Sequence, residues 1–224
     1  MSPSAIARML SEKEGLEGNP DYKVFFKDDT LLDFVVYIPG PEDSLYRYKL
    51  LKFQFQIPEK YPVDSPRVTF IQSAPGRVHP ILEREGHVRL SILGNGPGGW
   101  HSGLSIHAVL STIHSLLDNK PYCHEPAGKG KNDPDYNKYV QFIGWRALLT
   151  DHIIHETDAR AQVFIKRFVR HRSDWIMEEV LAEKEASKNV PCFIDPYDDW
   201  PFWPDWDFLV NHIRKALAIA MISF

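Results

Sequence analysis

The chain has 224 residues, which is enough for one core of ordinary size plus an extension. It carries 26 Lys and Arg against 30 Asp and Glu, so it lacks the basic excess that nucleic acids and anionic lipids select. It has no apolar run of transmembrane length, and its start lacks the apolar core of a signal peptide. Because two cysteines provide no disulfide framework, we expect a reducing cytosolic or nuclear setting.

The first third of the chain predicts a helix followed by a small sheet. Residues 2–14 place apolar side chains at helical spacing and favour a short amphipathic helix. Tyr48–Ile57 alternates between apolar residues and Lys or Gln, which is typical of a half-buried antiparallel strand. Three further segments rich in Val, Phe and Tyr complete a four-stranded antiparallel meander: Lys23–Lys27, Asp33–Ile38 and Arg67–Ile71.

Two helices are predicted to follow the sheet and to complete an α+β core domain over residues 1–152. Ser105 stands where it can cap the first, in which apolar residues recur every three or four positions. Tyr136–His152 has the same periodicity and favours a second helix, although Gly144 weakens it.

Residues 153–224 predict a helical extension packed on that core. Apolar residues at helical spacing indicate one long helix over residues 156–186 and a last helix over residues 207–220. A face of this kind is too apolar to be left in water, so we expect it to be covered by the core domain.

Asp195–Phe208, between these two helices, is a proline-broken loop rich in Asp and aromatic residues. Its tryptophans are Trp200, Trp203 and Trp206. We interpret them as packing the extension onto its own domain, since most aromatic residues in such tails do so. The alternative is an exposed docking patch.

The segment His79–Trp100, HPILEREGHVRLSILGNGPGGW, resembles the active-site segment of the ubiquitin-conjugating enzymes. That family has a His-Pro-Asn triplet, then a Gly-x-Val/Ile-Cys-Leu motif, then a Trp. Gly40–Tyr46 and Phe55–Phe70 resemble two further segments of the family. The insertion before the Trp, together with NKPYCHEP at 119–126, is similar to the large, C-terminally extended members. Those are the Z-type enzymes and the conjugating domain of BRUCE, and the resemblance implies their fold with its helical extension.

The resemblance puts unexpected residues at the two chemical positions. His79 and Pro80 match the triplet, but Ile81 stands at its Asn and Arg89 stands at the catalytic Cys. Conjugation needs a thiolate to hold ubiquitin as a thioester, and Arg is permanently protonated. Ile81 has no donor for an oxyanion, and His79 is expected to be structural. Glu83–Glu85 is interpreted as a solvated turn, with an ion pair to Arg89 as the alternative.

Cys123 is the candidate for a displaced nucleophile because His124 stands beside it, and a Cys–His pair can generate a thiolate. Adjacent residues usually point apart, however. A passive, small side chain is therefore the favoured interpretation of Cys123.

In the family, RING-type ligases dock on the first helix and on two loops. By resemblance those loops contain Tyr61, Pro62, Val63, Trp100, Ser102 and Gly103. The Phe and Pro that anchor a ligase are replaced by Val63 and Ser102. Because such anchors carry much of an interface's binding energy, ordinary ligase docking is expected to be weak.

Two functions are consistent with these residues. The first is a non-catalytic conjugating-enzyme fold that binds ubiquitin, a ubiquitin-like protein, an active conjugating enzyme or a ligase. The second is an active Z-type-like enzyme carrying a Cys-to-Arg change at position 89, whose unchanged form would transfer ubiquitin to lysine through a thioester. Ile81 favours the first, since disabling an enzyme requires only one change. The residues indicate no metal, no cofactor, no nucleic acid and no membrane partner.

Overall fold

A four-stranded antiparallel sheet forms the centre of the computed structural model, which describes residues 3–73, 76–125, 130–198 and 200–222. In sheet order the strands are β1 (Lys23–Phe26), β2 (Asp33–Pro39), β3 (Leu50–Gln56) and β4 (Arg67–Ile71). Val36 lies opposite Phe53, and Phe53 lies opposite Phe70, so apolar residues line one face. The predicted α+β class and the four-stranded meander are confirmed.

Helices precede and follow the sheet in the described residues. They are α1 (Pro3–Glu17), α2 (Ile106–Leu116), α3 (Pro134–Trp145), α4 (Asp151–His155), α5 (Ala159–Arg170), α6 (Ser173–Ala186) and α7 (Trp206–Met221). The predicted cap of α2 is confirmed, since Ser105 Oγ accepts a hydrogen bond from the Ala108 N–H at 3.2 Å. α1 continues past Gly15, and residue 2, where its predicted start lies, is outside the described residues.

The helix predicted over Tyr136–His152 is helical throughout, with a wider π-helical turn over Arg146–Thr150. Gly144 leaves room there for the buried side chain of Lys49. A Cβ at Gly144 would lie 3.1 Å from Lys49 Cδ and Cε. The Lys49 ammonium lies 3.8 Å from the ring centroid of Trp145, and burial lowers its pKa to about 8.

The extension contains two helices where the periodicity predicts one over residues 156–186. α5 ends at Arg170, and Arg172 has a non-helical backbone with φ −128° and ψ 1°. The break lets both α5 and α6 lie against α7, and it buries Ile165 of the first and Ile176 of the second. The single-helix prediction is wrong because the apolar spacing continues across the break and neither Gly nor Pro marks it.

α5 also contacts the face of the sheet opposite to Val36. The ring of Phe164 lies 6.0 Å, centroid to centroid, from both Phe25 and Tyr37. Glu156 accepts hydrogen bonds from the Tyr37 hydroxyl and from the Lys52 ammonium, the latter at 2.7 Å. Burial raises the pKa of the Tyr37 hydroxyl, and its hydrogen bond to the Glu156 carboxylate raises that pKa further.

The division of the chain after residue 152 remains a prediction. That boundary falls inside α4, where the buried His152 donates its Nε2–H to the Leu50 carbonyl at 3.0 Å. Burial and the nearby Lys52 lower the pKa of His152 to about 4, so its ring is neutral at physiological pH. In the part of the chain that the structure describes, no helix is long and apolar enough to cross a membrane.

The three tryptophans near the start of α7 have different surroundings. Trp206 is 9% exposed, and its ring centroid lies 4.9 Å from that of Phe142. Trp200 and Trp203 are 78% and 65% exposed. The predicted packing is confirmed for Trp206 and wrong for the other two, because Phe202 between them takes the inward position against Phe142.

Candidate functional site

The predicted site begins at a buried histidine. His79 is fully buried; its Nε2–H donates to the Leu116 carbonyl at 3.0 Å, and its Nδ1 accepts from the Ile81 N–H at 3.2 Å. Burial, together with the neighbouring His124, lowers the pKa of His79 to about 3. The imidazole is therefore neutral, and both of its nitrogens take part in hydrogen bonds. His79 holds its loop in place and has no free nitrogen for proton transfer.

Ile81 and Arg89 are brought together by the backbone. The Arg89 N–H donates to the Ile81 carbonyl at 2.8 Å, so the two strands of the loop run side by side at this point. The Ile81 side chain is buried beside Pro80, which is also buried. An aliphatic side chain at this place supplies packing and no hydrogen-bond donor.

Arg89 itself is 56% exposed, and its guanidinium forms an ion pair with Glu83. Arg77 approaches the same carboxylate, with 3.8 Å between Nη2 and Oε1. The alternative of an ion pair between the turn and Arg89 is thus the one observed for Glu83. A permanently charged guanidinium paired with a carboxylate offers no nucleophile to an acyl group.

Arg84, in the same turn, is held by the extension. Its Nη2 lies 3.0 Å from the buried Asp195 carboxylate and 3.2 Å from Asp198. Arg84 and Glu85 are both exposed, in agreement with the solvated-turn interpretation, and Arg84 in addition forms these two ion pairs. Sequence reasoning missed this contact because its partners lie 111 and 114 positions away.

A second contact between the extension and the site loop lies beside the first. The Arg77 guanidinium stacks over the Tyr197 ring at 4.1 Å, and the Tyr197 hydroxyl donates to the Glu125 carboxylate. Arg77 also donates to the Pro80 carbonyl at 2.5 Å. The extension residues 195–198 therefore hold the loop that carries the site residues through two arginines, Arg84 and Arg77.

Cys123 lies half-buried in the short 3-10 helix Pro121–His124. The His124 Nε2 is 2.9 Å from the Asp118 carboxylate, and its ring stacks on His79 with centroids 5.5 Å apart. Over the described residues, no hydrogen bond joins the Cys123 thiol to the His124 ring. The pair that motivated a displaced nucleophile is therefore not assembled in this structure.

The two predicted ligase-docking loops meet at one end of the molecule. Trp100 donates its Nε1–H to the Pro62 carbonyl at 2.9 Å, and its ring lies 5.8 Å from that of Tyr61. Val63 is exposed, and Ser102 and Gly103 are exposed as well. Among the predicted docking residues, Pro62 and Trp100 are partly buried, and Val63 is the exposed apolar side chain.

α1 is joined to the same surface through one carboxylate. Glu12 accepts from the Tyr61 hydroxyl at 2.7 Å and from the Ile106 N–H at 2.9 Å, and it pairs with Arg8 at 2.5 Å. Through Glu12, these contacts connect α1 with the loop of Tyr61 and with the start of α2 at Ile106. We call this region the rigid corner. Among the described residues, no three His, Cys, Asp or Glu side chains are grouped so as to hold a metal ion.

Comparisons with known proteins identify relatives of this chain. Residues 8–142 match the family profile described as ubiquitin-conjugating enzyme. Human ubiquitin-conjugating enzyme E2 Z is 30% identical over 159 residues, which cover 67% of this chain and 45% of that protein. The probable ubiquitin-conjugating enzyme E2 W of Dictyostelium discoideum is 34% identical over 144 residues, covering 64% of this chain and 89% of the relative. The chain thus spans less than half the length of the human relative.

Among solved structures, human ubiquitin-conjugating enzyme E2 G1 matches with a TM-score of 0.47 and 26% identity, covering 52% of this chain and 97% of that one. A Plasmodium falciparum ubiquitin-conjugating enzyme matches with a TM-score of 0.46 and 24% identity, covering 52% and 84%.

Proposed function

The chain belongs to the ubiquitin-conjugating enzyme family, and on that premise we propose that it is a non-catalytic member. In this proposal it serves the ubiquitin pathway as a binding or scaffold module for ubiquitin, a ubiquitin-like protein, an active conjugating enzyme or a ligase. The observation that carries the proposal is the surroundings of Arg89. The Arg89 guanidinium is exposed and paired with Glu83, and the backbone N–H of Arg89 donates a hydrogen bond to the Ile81 carbonyl.

The chemistry of thioester formation supports a loss of catalysis. A thiolate is both nucleophilic near neutral pH and a good leaving group, which lets it accept an acyl group and then release it. Arginine has no lone pair for attack at any physiological pH. If Arg89 occupies the position of the family's cysteine, the covalent route is absent.

The side chain of Ile81 supports the same conclusion independently. At the position of the family's Asn it provides no donor to a developing oxyanion, and loss of one such donor typically slows acyl transfer by roughly 100- to 1000-fold. Two changed positions are more than is needed to disable an enzyme. They favour a natural non-catalytic protein over an active enzyme carrying a single Cys-to-Arg change at position 89.

The buried part of the site supports the proposal that the protein retains the fold of the family without its catalytic activity. His79 keeps both hydrogen bonds, and Trp100 keeps its contact with Pro62. A protein that binds through this fold requires the frame and the rigid corner near Glu12 but not the thiol. The small Val63 and the exposed Ser102 favour a partner other than an ordinary RING-type ligase.

A charging assay tests the first half of the proposal. The protein is incubated with ubiquitin-activating enzyme, ATP and ubiquitin, and the products are separated on a non-reducing gel. We expect no thiol-sensitive band heavier by one ubiquitin. Such a band would contradict the proposal. Its loss in Cys123→Ser would then assign the nucleophile to Cys123.

A binding titration tests the second half. Isotope-labelled ubiquitin is titrated with the protein in the absence of ATP, and the amide shifts are followed by NMR. The same titration is run with an active conjugating enzyme, a representative ubiquitin-like protein and a ligase domain as the labelled species. Saturable shifts with any of these probes support a binding module, and the absence of shifts with all of them would contradict it.

A further inference from the structure

We propose that the outer side of the loop before α7 is a docking surface for a protein segment that combines aliphatic or aromatic residues with Lys and Arg. The surface, here called the aromatic patch, consists of Ile194, Trp200, Trp203 and Phe208. This inference goes beyond the proposed function, because it depends on neither ubiquitin binding nor the loss of catalysis.

The exposure of these side chains is the first observation. Trp200 and Trp203 are 78% and 65% exposed, whereas Trp206 is buried and packs against Phe142 of α3. Ile194 and Phe208 also expose more than half of their surface. Each large aromatic side chain can remove on the order of 150–250 Å² from water when it docks. Four large exposed apolar side chains within one short stretch of the chain are more than the single, scattered residues that are normal on a monomer, and such a concentration typically marks an interaction site.

The backbone explains why Ile194 and Trp203 lie on the same side of the loop. Phe193 and Phe202 exchange two backbone hydrogen bonds of 2.8 Å in an antiparallel bridge. Both of these Phe rings face inward, against Phe142. Successive residues of extended chains point to opposite sides, so Ile194 and Trp203 face outward together.

The patch is fixed at both ends before any partner arrives. Asp195 is buried and pairs with Arg84 of the site loop. At the other end, the Asp205 side chain caps α7 by accepting from the Phe208 N–H at 2.8 Å. A preorganised loop loses little conformational entropy on binding, which favours docking over a merely tolerated exposure of tryptophan.

The charge of the segment selects the partner. Asp195–Phe208 contains five Asp and neither Lys nor Arg. Arg84 and Lys184 approach its aspartates from outside, the latter 2.5 Å from the 86%-exposed Asp207. The segment remains net negative around an aromatic centre, so a complementary surface is apolar at its middle and basic at its rim. The same charge disfavours an anionic membrane as the occupant.

A peptide selection with the full-length chain tests the proposal. A phage-displayed library of random peptides is panned against the protein, and the dissociation constant of the most enriched synthetic peptide is then measured by calorimetry. We expect the enriched peptides to combine aliphatic or aromatic residues with Lys or Arg. Their affinity should fall at least about tenfold in Trp200→Ala/Trp203→Ala, because buried tryptophans are frequent hot spots. It should also fall as salt is raised.

Trp175→Ala is the matched control, since Trp175 is 56% exposed on α6, outside the patch. It should leave the affinity unchanged. The two single variants, Trp200→Ala and Trp203→Ala, are measured as well, so that a folding defect in the double variant does not decide the result. Each single variant should weaken binding by about threefold or more.

Three outcomes would overturn the proposal. One is a selection that enriches no peptide, or only peptides without basic residues. Another is an enriched peptide that binds the double variant and the wild type equally. The third is a concentration-dependent dimer, seen by sedimentation, that Trp200→Ala/Trp203→Ala dissociates, which would make a second copy of this chain the occupant.

Discussion

The inner and outer halves of the site loop are held by different forces. The inner half, His79–Leu82, is buried and fixed by hydrogen bonds to α2 and by core packing. The outer half, Glu83–Arg89, carries charged side chains that are mostly exposed and fixed by ion pairs. Buried polar groups are costly to disturb, whereas exposed ion pairs contribute little to folding. The difference teaches that residues of the outer half can be substituted while the inner half keeps the frame of the loop.

The largest expected effect is acid destabilisation through the buried histidines. The pKa values of His79 and His152 are lowered from 6.5 to about 3 and about 4. Between these values and 6.5 the unfolded chain binds protons that the folded chain excludes, so stability is lost as the pH falls through 6.5. From pH 7 to pH 5 we expect a loss of about 2 kcal/mol for each histidine. Urea unfolding at the two pH values measures it.

Substitution of one histidine separates its share of this loss. In His152→Gln about half of the pH-dependent loss should disappear, because only one buried imidazole then remains to be protonated on unfolding. Urea unfolding of the wild type and of His152→Gln at pH 7 and pH 5 compares the two losses. Equal stability of the wild type at pH 5 and pH 7 would contradict the assignment of neutral, buried rings.

Removing the His79 ring should break the inner half of the loop. His79→Ala leaves a cavity and an unpaired Ile81 N–H, and it removes one of the two donors to the Leu116 carbonyl, the other being the Asp118 N–H. We expect it to lower the free energy of unfolding by about 3 kcal/mol. His87→Ala in the outer half should change it by less than about 0.5 kcal/mol. Similar losses in the two variants would show that burial does not distinguish the halves.

Local pattern predicts the inner parts of the molecule well. The alternation of β3 specifies its buried face, and Ser105 is recognised as a cap because its side chain acts on a residue only three positions away. The break after Arg170 escapes prediction, since no local signal competes with the continuing apolar period. The position of the break is determined by the burial of α5 and α6 against α7, which is a tertiary effect.

The candidate site is predictable in the same uneven way. Motif spacing brings Ile81 and Arg89 together, as the backbone hydrogen bond between them shows. The contact of Arg84 with Asp195 spans 111 positions, and each residue alone is typical of an exposed, charged turn. The exposure of Trp200 and Trp203 depends on which neighbour points inward, which composition does not specify.

Asp195→Ala should have an intermediate effect because it loosens the outer half from the extension. Asp195 is buried and accepts hydrogen bonds from Arg84 and from the Tyr197 N–H. We expect a loss of about 2 kcal/mol in the free energy of unfolding by urea. Asp198→Ala removes the exposed partner of the same arginine and should cost less than about 0.5 kcal/mol. Equal effects of the two substitutions would show that the exposed pair of Arg84 with Asp198 contributes as much as the buried pair with Asp195.

The smallest effect on folding is expected at Arg89. Its side chain is exposed and its ion pair with Glu83 is of the surface type, so Arg89→Ala and Arg89→Cys should each change stability by less than about 0.5 kcal/mol. A larger loss, measured by urea unfolding, would show that the outer half contributes to the frame. If both variants fold, Arg89→Cys tests chemistry alone.

On the proposed function, Arg89→Cys should give little activity even though it supplies a thiol. Thioester formation requires that thiol, whereas discharge to lysine also requires an oxyanion donor, which Ile81 does not supply. We therefore expect weak charging and almost no lysine transfer by Arg89→Cys, and a greater gain in transfer than in charging when Ile81→Asn is added. Single-turnover discharge to free lysine compares them, with Arg89→Ala as the variant that should do neither. Rapid discharge by Arg89→Cys alone would mean that the rest of the site is intact, and the non-catalytic function would lose its main support.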